Sequence, residues 1–599
     1  MCGIVGYIGS DQASPILLEA LRKLEYRGYD SAGIAVVQEN HNLLVRKIKG
    51  RLSNLELLVQ QQPVEGMCGI GHTRWATHGD PSDINSHPHT DVSGSIAVVH
   101  NGIIENHAAL KTWLEKHGVT FKSQTDSEVI AHLVDFHYNG DLLLAVMETV
   151  KRLEGSYAIA VVCEDYPDRL VVARKDSPLV IGRFQGCNLI ASDVPPLLGI
   201  TREVQYLNDH ELALLTSDDV TIYSMDGDKL EREITHVDWD IEAAEKCGYE
   251  HFMLKEIFEQ PKALQDTLAS RIKGGEIHLA PAIDALLQEC THLLIVGCGS
   301  AYHAGMVAKY VIEHFAKISV EVDVASEMRY RTPLCRQGDV CIVISQSGET
   351  ADTLASLRLL KELGVKTIAL TNVVGSTISR EADFVMYTQA GPEIAVASTK
   401  ALTTQLMCLY LIAMVLKKNH DATLLAQLSQ IPSLAQKLLE KQEDIQRFAA
   451  RQFNKDKVFF MGRLTDYAIS LESALKLKEI SYTHSESFAA GELKHGPIAL
   501  VDESTLVVAM CTQPQLYKKM DSNIKEVKAR GATALVVTFD RVHEFDDTAD
   551  EVFRIPETEP YFTPMLTVIV SQLYAYYCSV LKGNDPDKPR NLAKSVTVE

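Results

Sequence analysis

The second half of the chain repeats itself, and nothing else in the sequence constrains the fold as much. Apolar Leu293–Val296 runs into Gly297, and Val458–Met461 runs into Gly462. Val340–Ile344 corresponds in the same way to Leu506–Met510, Thr367–Leu370 to Ala534–Val537, and Phe384–Tyr387 to Val552–Ile555. The order is collinear and the offset nearly constant. Short apolar strands alternating with helical stretches predict parallel βαβ units. Two copies of one doubly wound, parallel-sheet α/β domain are therefore expected, at 284–423 and 449–589, with a helix over Leu424–Phe448 joining them. Open sheets of this kind take ligands at the carboxyl ends of their strands.

In the first copy that end reads Ser345-Gln346-Ser347-Gly348-Glu349-Thr350, ahead of a helical stretch from Ala351. Hydroxyls, a glycine and unpaired N–H groups at a helix N-terminus make a phosphate cradle. The GxxxxGK[ST] pattern is missing, so this is not a Walker loop. The second copy has Cys511-Thr512-Gln513-Pro514-Gln515 there, and its proline lacks an N–H. Only the first copy is expected to hold phosphate, through Ser345, Gln346, Ser347 and Thr350. Gly297-Cys298-Gly299-Ser300-Ala301-Tyr302 fails as a dinucleotide loop because Tyr302 stands where GxGxxG needs glycine. It reads better as a second sugar-phosphate loop contributing Ser300. Val396-Ala397-Ser398-Thr399-Lys400 adds further hydroxyls, with Ser398 the candidate. The two copies resemble a tandem pair of sugar isomerase (SIS) domains. That family commonly has Gly-Thr-Ser where this chain has Gly299-Ser300-Ala301, so no phosphate contact is carried onto Ala301.

The amino-terminal part starts Met1-Cys2-Gly3-Ile4. Trimming of the initiator methionine would leave Cys2 with a thiol and a free α-amine, groups whose reference pKa values are about 8.5 and about 7.7–8.0. Nucleophile and base then share one residue. Downstream lie Tyr26-Arg27-Gly28-Tyr29-Asp30-Ser31, His72-Thr73-Arg74-Trp75-Ala76-Thr77-His78-Gly79, His100-Asn101-Gly102 and Thr125-Asp126-Ser127-Glu128. Asn101 and the backbone at Gly102 suit an oxyanion hole, which needs donors at close range. Arg74 can clamp a carboxylate bidentately, and Asp126 can pair with an ammonium. With Cys2, these motifs resemble the class II glutamine amidotransferases over about residues 2–218. The resemblance implies an N-terminal-nucleophile αββα glutaminase domain. It also implies that glutamine is bound by Arg74, Trp75, Thr77, His78 and Asp126.

A polar stretch follows, and residues 219–283 read as linker and lead-in helices. In the second copy, Lys476 and Glu479 are three apart on a helical pattern and share a face; a solvated ion pair is the plain reading. With Gly491-Glu492-Leu493-Lys494-His495-Gly496-Pro497 and the tail at 590–599, containing Lys594, the whole chain is similar to the isomerising glutamine–fructose-6-phosphate aminotransferases (glucosamine-6-phosphate synthases). That resemblance implies L-glutamine and D-fructose 6-phosphate as substrates. His495 would open the sugar ring and reach the site of a neighbouring subunit in a homodimer. Glu479 would move a proton between C1 and C2. Lys594 would form a Schiff base with Lys476 close by, and Trp75 and the tail would close an ammonia passage. No metal and no organic cofactor are required.

Composition limits the partners. Net charge is −21, which argues against nucleic acid or an anionic membrane surface. The 12 cysteines show no CxxC pair or repeated spacing, so neither a zinc site nor a disulfide framework is indicated and a reducing cytoplasm fits. No signal peptide is visible, and runs such as Leu406–Leu416 are too short to cross a bilayer. Two rivals remain. Another class II amidotransferase would need a phosphoribosyl- or nucleotide-binding second half, which the SIS repeat does not supply. A sugar-phosphate sensor would bind fructose 6-phosphate without releasing glutamate from glutamine.

Overall fold

The computed structural model describes residues 2–25, 27–75, 78–237, 246–336, 338–418 and 421–597. The chain divides into two compact units, Met1–Ala244 with Ala593–Glu599, and Glu245–Leu592.

The first unit stacks two antiparallel sheets. One has eight strands, with Gly3–Gly9 at its middle between Cys68–Arg74 and Cys187–Ala191. The other has seven and includes Ile96–Ile104, Gly155–Cys163 and Leu170–Lys175. Ile4, Ile8, Ala35 and Val37 of the first sheet meet Ala97, Val99, Ala158 and Val162 of the second in one apolar layer. The outer face of the eight-stranded sheet is covered by the helix Ala13–Arg22, whose Leu17 and Leu21 lie one turn apart and are buried. Helices Glu128–His137 and Leu142–Val150 cover the other sheet. Strands buried on both faces lose the polar alternation of a half-exposed strand; Gly3–Gly9 is buried throughout. The expected αββα layering is present. It continues past residue 218, because Val220–Ser224 and Lys229–Leu230 extend the seven-stranded sheet and Thr235–His236 the eight-stranded one. The 219–283 segment is therefore part sheet and part helix rather than linker.

The second unit holds two parallel five-stranded sheets. The first runs Ser319–Val324, His292–Gly297, Val340–Ser345, Lys366–Thr371, Phe384–Tyr387. The second runs His484–Ala489, Lys457–Gly462, Thr505–Met510, Thr533–Phe539, Glu551–Ile555. Both have the order 2-1-3-4-5, so the strand order reverses between the first and third strands, where such sheets bind ligands. All four strand pairs read from the repeat are present. The second strand of each copy was not read, since Ser319–Val324 and His484–Ala489 are polar edge strands.

The first helix of copy one, Ser300–Phe315, packs on the first helix of copy two, Thr465–Ser481. One apolar cluster runs from Met253 to Cys578, so the copies share a core. The expected joining helix is two helices, Ala422–Leu439 and Gln442–Gln452. The expectation about apolar runs also needs correcting. Pro564–Leu581 is long and apolar enough to cross a bilayer, yet it lies almost wholly buried against Thr465–Ser481, Ala422–Leu439 and Gln442–Gln452. Phe460 is 1% exposed in that core. Phe460→Ala should cost about 3–5 kcal/mol, read as a lowered unfolding midpoint for the second unit, with the first unit's transition unmoved.

Candidate functional site

In the first unit, strand register brings the nucleophile and the clamp together. Gly3 pairs with Thr73, which puts Arg74 opposite Cys2 at the end of the central strands. The backbone N–H of Trp75 donates to Cys2 Sγ at 3.2 Å. Burial pushes the Cys2 thiol up, opposed by the charge of the chain's amino terminus, the Trp75 N–H and Arg74. Arg74 spends Nη2 on the carbonyls of His78 and Gly79, while its buried Nη1 has no partner. Asp126 is 3% exposed; one oxygen accepts from the Ile104 N–H at 2.8 Å, and the other lies 4.0 Å from His78 Nδ1. An unpaired guanidinium nitrogen and a carboxylate thus flank the thiol, as the two charged ends of a free amino acid require.

The Asn101 amide is oriented by two bonds. His72 Nε2 faces two acceptors, Asn101 Oδ1 and the His100 carbonyl, each at 3.1 Å. It must therefore carry the proton. Burial brings the His72 pKa down to about 3, so the ring stays neutral and keeps that tautomer. Asn101 Nδ2 then points to the Cys2 carbonyl at 3.0 Å. Gly102 has φ +131°, and a Cβ there would lie 2.0 Å from the Ser156 carbonyl oxygen; only glycine fits. His72 stacks on His87 with ring centroids 4.1 Å apart, and His87 lines the pocket with Cys2, Arg74, Trp75, His78, Gly102 and Asp126. His87 was not singled out in the sequence, because histidines read singly carry no positional signal. The cavity is about 20 Å³, room for about one water. Thr77 lies outside the described residues.

In the second unit, the packed first helices bury a charged cluster. Ser300 Oγ donates to Glu472 Oε1 at 2.8 Å, and His303 Nδ1–H donates to Glu472 Oε2 at 2.8 Å. Lys476 Nζ lies 2.5 Å from Glu479 Oε2, 3.4 Å from Glu472 Oε1 and 3.2 Å from Ser300 Oγ. Lys476 is 1% exposed, so the solvated ion pair is ruled out. Burial would lower the Lys476 pKa, but the two carboxylates raise it. The carboxylates diverge. Burial raises Glu479, with Lys476 opposing; at Glu472 burial is outweighed by Lys476 and His303, and its pKa falls. Glu472 sits at i−4 and Glu479 at i+3 from Lys476 on one face; that spacing was legible, but only the Lys476–Glu479 half was read.

The Ser345–Thr350 loop lies between the third strand of copy one and the helix Ala351–Glu362. Ser345 Oγ accepts from the Gly348 N–H at 3.0 Å and meets Thr350 Oγ1 at 2.9 Å. Gly348 has φ +65°, and a Cβ there would meet Ser376 Oγ at 2.0 Å. Gln346 is half-buried, and its carbonyl accepts from the Asn372 N–H. Ser347 Oγ accepts from the Glu349 N–H at 3.2 Å. Ser398 donates to Glu393 at 3.2 Å. In copy two the corresponding donors are already taken: Thr512 N and Oγ1 both bond the Asp466 carboxylate, at 2.8 and 2.5 Å. His495 is exposed on the 3-10 turn Glu492–His495. Lys594 is half-buried in the tail that groups with the first unit.

The description "glutamine amidotransferase domain" matches residues 72–199, and "SIS domain" matches 286–415 and 453–582. A glutamine–fructose-6-phosphate aminotransferase (isomerizing) of Caldanaerobacter subterraneus subsp. tengcongensis is 55% identical over 100% of both chains. One of Clostridium tetani is 53% identical, again over 100% of both. Among solved structures, the C-terminal domain of glucosamine-fructose-6-phosphate aminotransferase from Francisella tularensis aligns with TM-score 0.55 and 40% identity, covering 57% of this chain and 99% of that one. By this identity along its full length, the chain belongs to the glutamine–fructose-6-phosphate aminotransferase (isomerizing) family.

Proposed function

We propose that the chain converts L-glutamine and D-fructose 6-phosphate to L-glutamate and D-glucosamine 6-phosphate, working as a cytoplasmic homodimer. The observation that carries the sugar half of this reading is the buried Lys476 ammonium held against Glu479, with the Ser300 hydroxyl at the N-terminus of the facing helix 3.2 Å from it.

In the first unit Cys2 Sγ attacks the glutamine side-chain carbonyl, with Arg74 on the α-carboxylate and Asp126 on the α-ammonium. The resulting oxyanion takes donors from Asn101 and the Gly102 backbone, as an acyl-transfer intermediate requires. Ammonia leaves with a proton from the α-amine or its water, and a second water hydrolyses the thioester to glutamate. Trp75, hydrogen-bonded to Cys2 through its backbone, is placed to feel the state of the thiol.

In the second unit Ser345, Gln346, Ser347 and Thr350 hold the phosphate, with Ser300 and Ser398 on the rest of the sugar. Copy two holds none, since Asp466 occupies its donors. His495 opens the ring from the partner copy; its exposure without a hydrogen-bond partner among the described residues supports an intermolecular role. Lys594 activates the C2 carbonyl as a Schiff base, ammonia displaces it, and Glu479 carries a proton from C1 to C2. Amide-15N-glutamine supplied with fructose 6-phosphate should place the label in glucosamine 6-phosphate; unlabelled product would sink the reading.

Three variants separate the steps. Cys2→Ala should abolish glutamate release, assayed by glutaminase turnover, while fructose 6-phosphate still binds. Ser347→Ala should weaken fructose 6-phosphate and glucose 6-phosphate alike, by about 1.5–3 kcal/mol for a hydrogen bond to a charged group. Calorimetric titration with both sugars checks this. Glu479→Gln should slow synthesis and the glutamine-free interconversion of fructose and glucose 6-phosphates by about 10²–10⁴, the usual loss for a positioned general base. Glutaminase activity should survive; interconversion at the wild-type rate would leave Glu479 as an ion-pair partner only.

A further inference from the structure

We propose that His303 is a positioning residue of the sugar site: its Nδ1–H bond to Glu472 keeps the Lys476 ammonium on Glu479. The inference rests on Glu479 being the proton shuttle.

The geometry is one of shared partners. Glu472 and Glu479 flank a single ammonium, and an ammonium that far from water goes to whichever carboxylate lacks other donors. Glu472 has two others. Ser300 Oγ satisfies Oε1 at 2.8 Å, and His303 Nδ1–H satisfies Oε2 at 2.8 Å. Lys476 accordingly makes its short contact, 2.5 Å, with Glu479 and its long one, 3.4 Å, with Glu472. Glu472 is wholly buried, so no solvent replaces a donor that is removed. Without His303, Glu472 Oε2 is an unsatisfied buried acceptor, and the nearest group able to answer it is Lys476.

His303 comes from the helix Ser300–Phe315 of copy one, whereas Glu472, Lys476 and Glu479 all lie on Thr465–Ser481 of copy two. The bond therefore also fixes how the two helices register across the site. The titratable groups acting on Glu479 are Lys476 and Glu472 on its own helix and His303 opposite. Pro564–Leu581, packed on the same helix, carries no ionised side chain, only Tyr574, Tyr576, Tyr577 and Cys578. On the neighbouring strands Lys457 pairs with Asp502, and His484 faces Glu486. On the Ser300–Phe315 helix Lys309 is taken by Glu313, and His314 stacks on Tyr561. Nothing else on these elements substitutes for His303. Burial already raises Glu479 against the pull of Lys476. If Lys476 moves to Glu472 that rise is unopposed, and less Glu479 is carboxylate near neutrality.

Two substitutions distinguish the bond from the bulk of the ring. Asparagine places an amide N–H near the position of Nδ1, whereas leucine keeps volume and offers no donor. In the full-length protein, His303→Leu should lower kcat for glucosamine 6-phosphate formation and for sugar interconversion by about 10- to 100-fold. The KM for fructose 6-phosphate should stay within about twofold, and glutaminase turnover should be unchanged. The acid limb of the interconversion rate should move to higher pH in His303→Leu, and His303→Asn should restore both rate and limb. Wild-type kcat and pH profile in His303→Leu would overturn the proposal, as would His303→Asn no better than leucine. If His303→Leu fails to bind fructose 6-phosphate, the asparagine variant decides alone: it must match the wild-type profile. A wild-type protein unable to interconvert the two sugar phosphates would instead remove the role of Glu479, and that of His303 with it.

Discussion

A single buried ammonium organises the second unit. Lys476 is 1% exposed, and its charge is tolerable there only because carboxylates stand on both sides of it. Burying one such ion without a partner costs several kcal/mol even after relaxation. The cost fixes much around it. Glu472 must be on the same helix face, Ser300 and His303 must reach it from the other copy, and the helices Ser300–Phe315 and Thr465–Ser481 must stay packed in one register. A charged cluster that has to be satisfied completely is also a cluster held in one geometry. The proposed proton transfer between adjacent sugar carbons would need that rigidity, since a shuttle works only within hydrogen-bond reach.

The first unit solves a different electrostatic problem with neutral groups. The thiol of Cys2 is surrounded by imidazoles that burial keeps uncharged, His72, His87 and His100 among them. Their value lies in fixed tautomers. His72 Nε2–H sets the direction of the Asn101 amide, and the Asn101 NH₂ then faces the thiol's own residue. In the proposed role as an oxyanion-hole donor, an amide locked before substrate arrives would need no reorganisation at the moment of attack. Among the described residues lining the pocket, Arg74 keeps one guanidinium nitrogen, Nη1, without a hydrogen-bond partner.

The sequence revealed the architecture through period and repetition. Strands with period-two or continuous apolar character, such as His292–Gly297 and Lys457–Gly462, are recognisable because the core they enter is apolar on both faces. Two of the four edge strands were not, since Ser319–Val324 and His484–Ala489 meet the core on one side and carry polar residues on the other. The break between Ala422–Leu439 and Gln442–Gln452 gave no glycine or proline at the break itself to mark it. At the sites, the motifs singled out Cys2, Arg74, Gly102 and Asp126, which line one pocket, and Asn101, whose amide bonds the Cys2 carbonyl. It could not find His303 or Glu472, because a lone histidine and a lone glutamate on a helix are ordinary until a second helix is known to face them. Pairings between distant segments are the information that periodicity does not hold.

The repeat shows why two copies of one domain can divide a reaction instead of duplicating it. Gly299 and Leu464 occupy the same place in the two copies, and their backbones match, with φ and ψ of 54° and −125° against 57° and −128°. The turn before each first helix has thus been kept even where leucine must adopt a conformation that favours glycine. Two residues on, the copies part. Ala301 leaves the end of copy one open, whereas Asp466 in copy two fills its own loop with a carboxylate bonded to Thr512 N and Oγ1. Burial pushes the Asp466 pKa up to about 6, the cost of keeping an anion where no water reaches. An internal carboxylate here accepts the kind of donors, a backbone N–H and a hydroxyl, that an anion cradle offers. In copy two the loop after the third strand is thereby tied to the helix Thr465–Ser481, which carries Glu472, Lys476 and Glu479 as well.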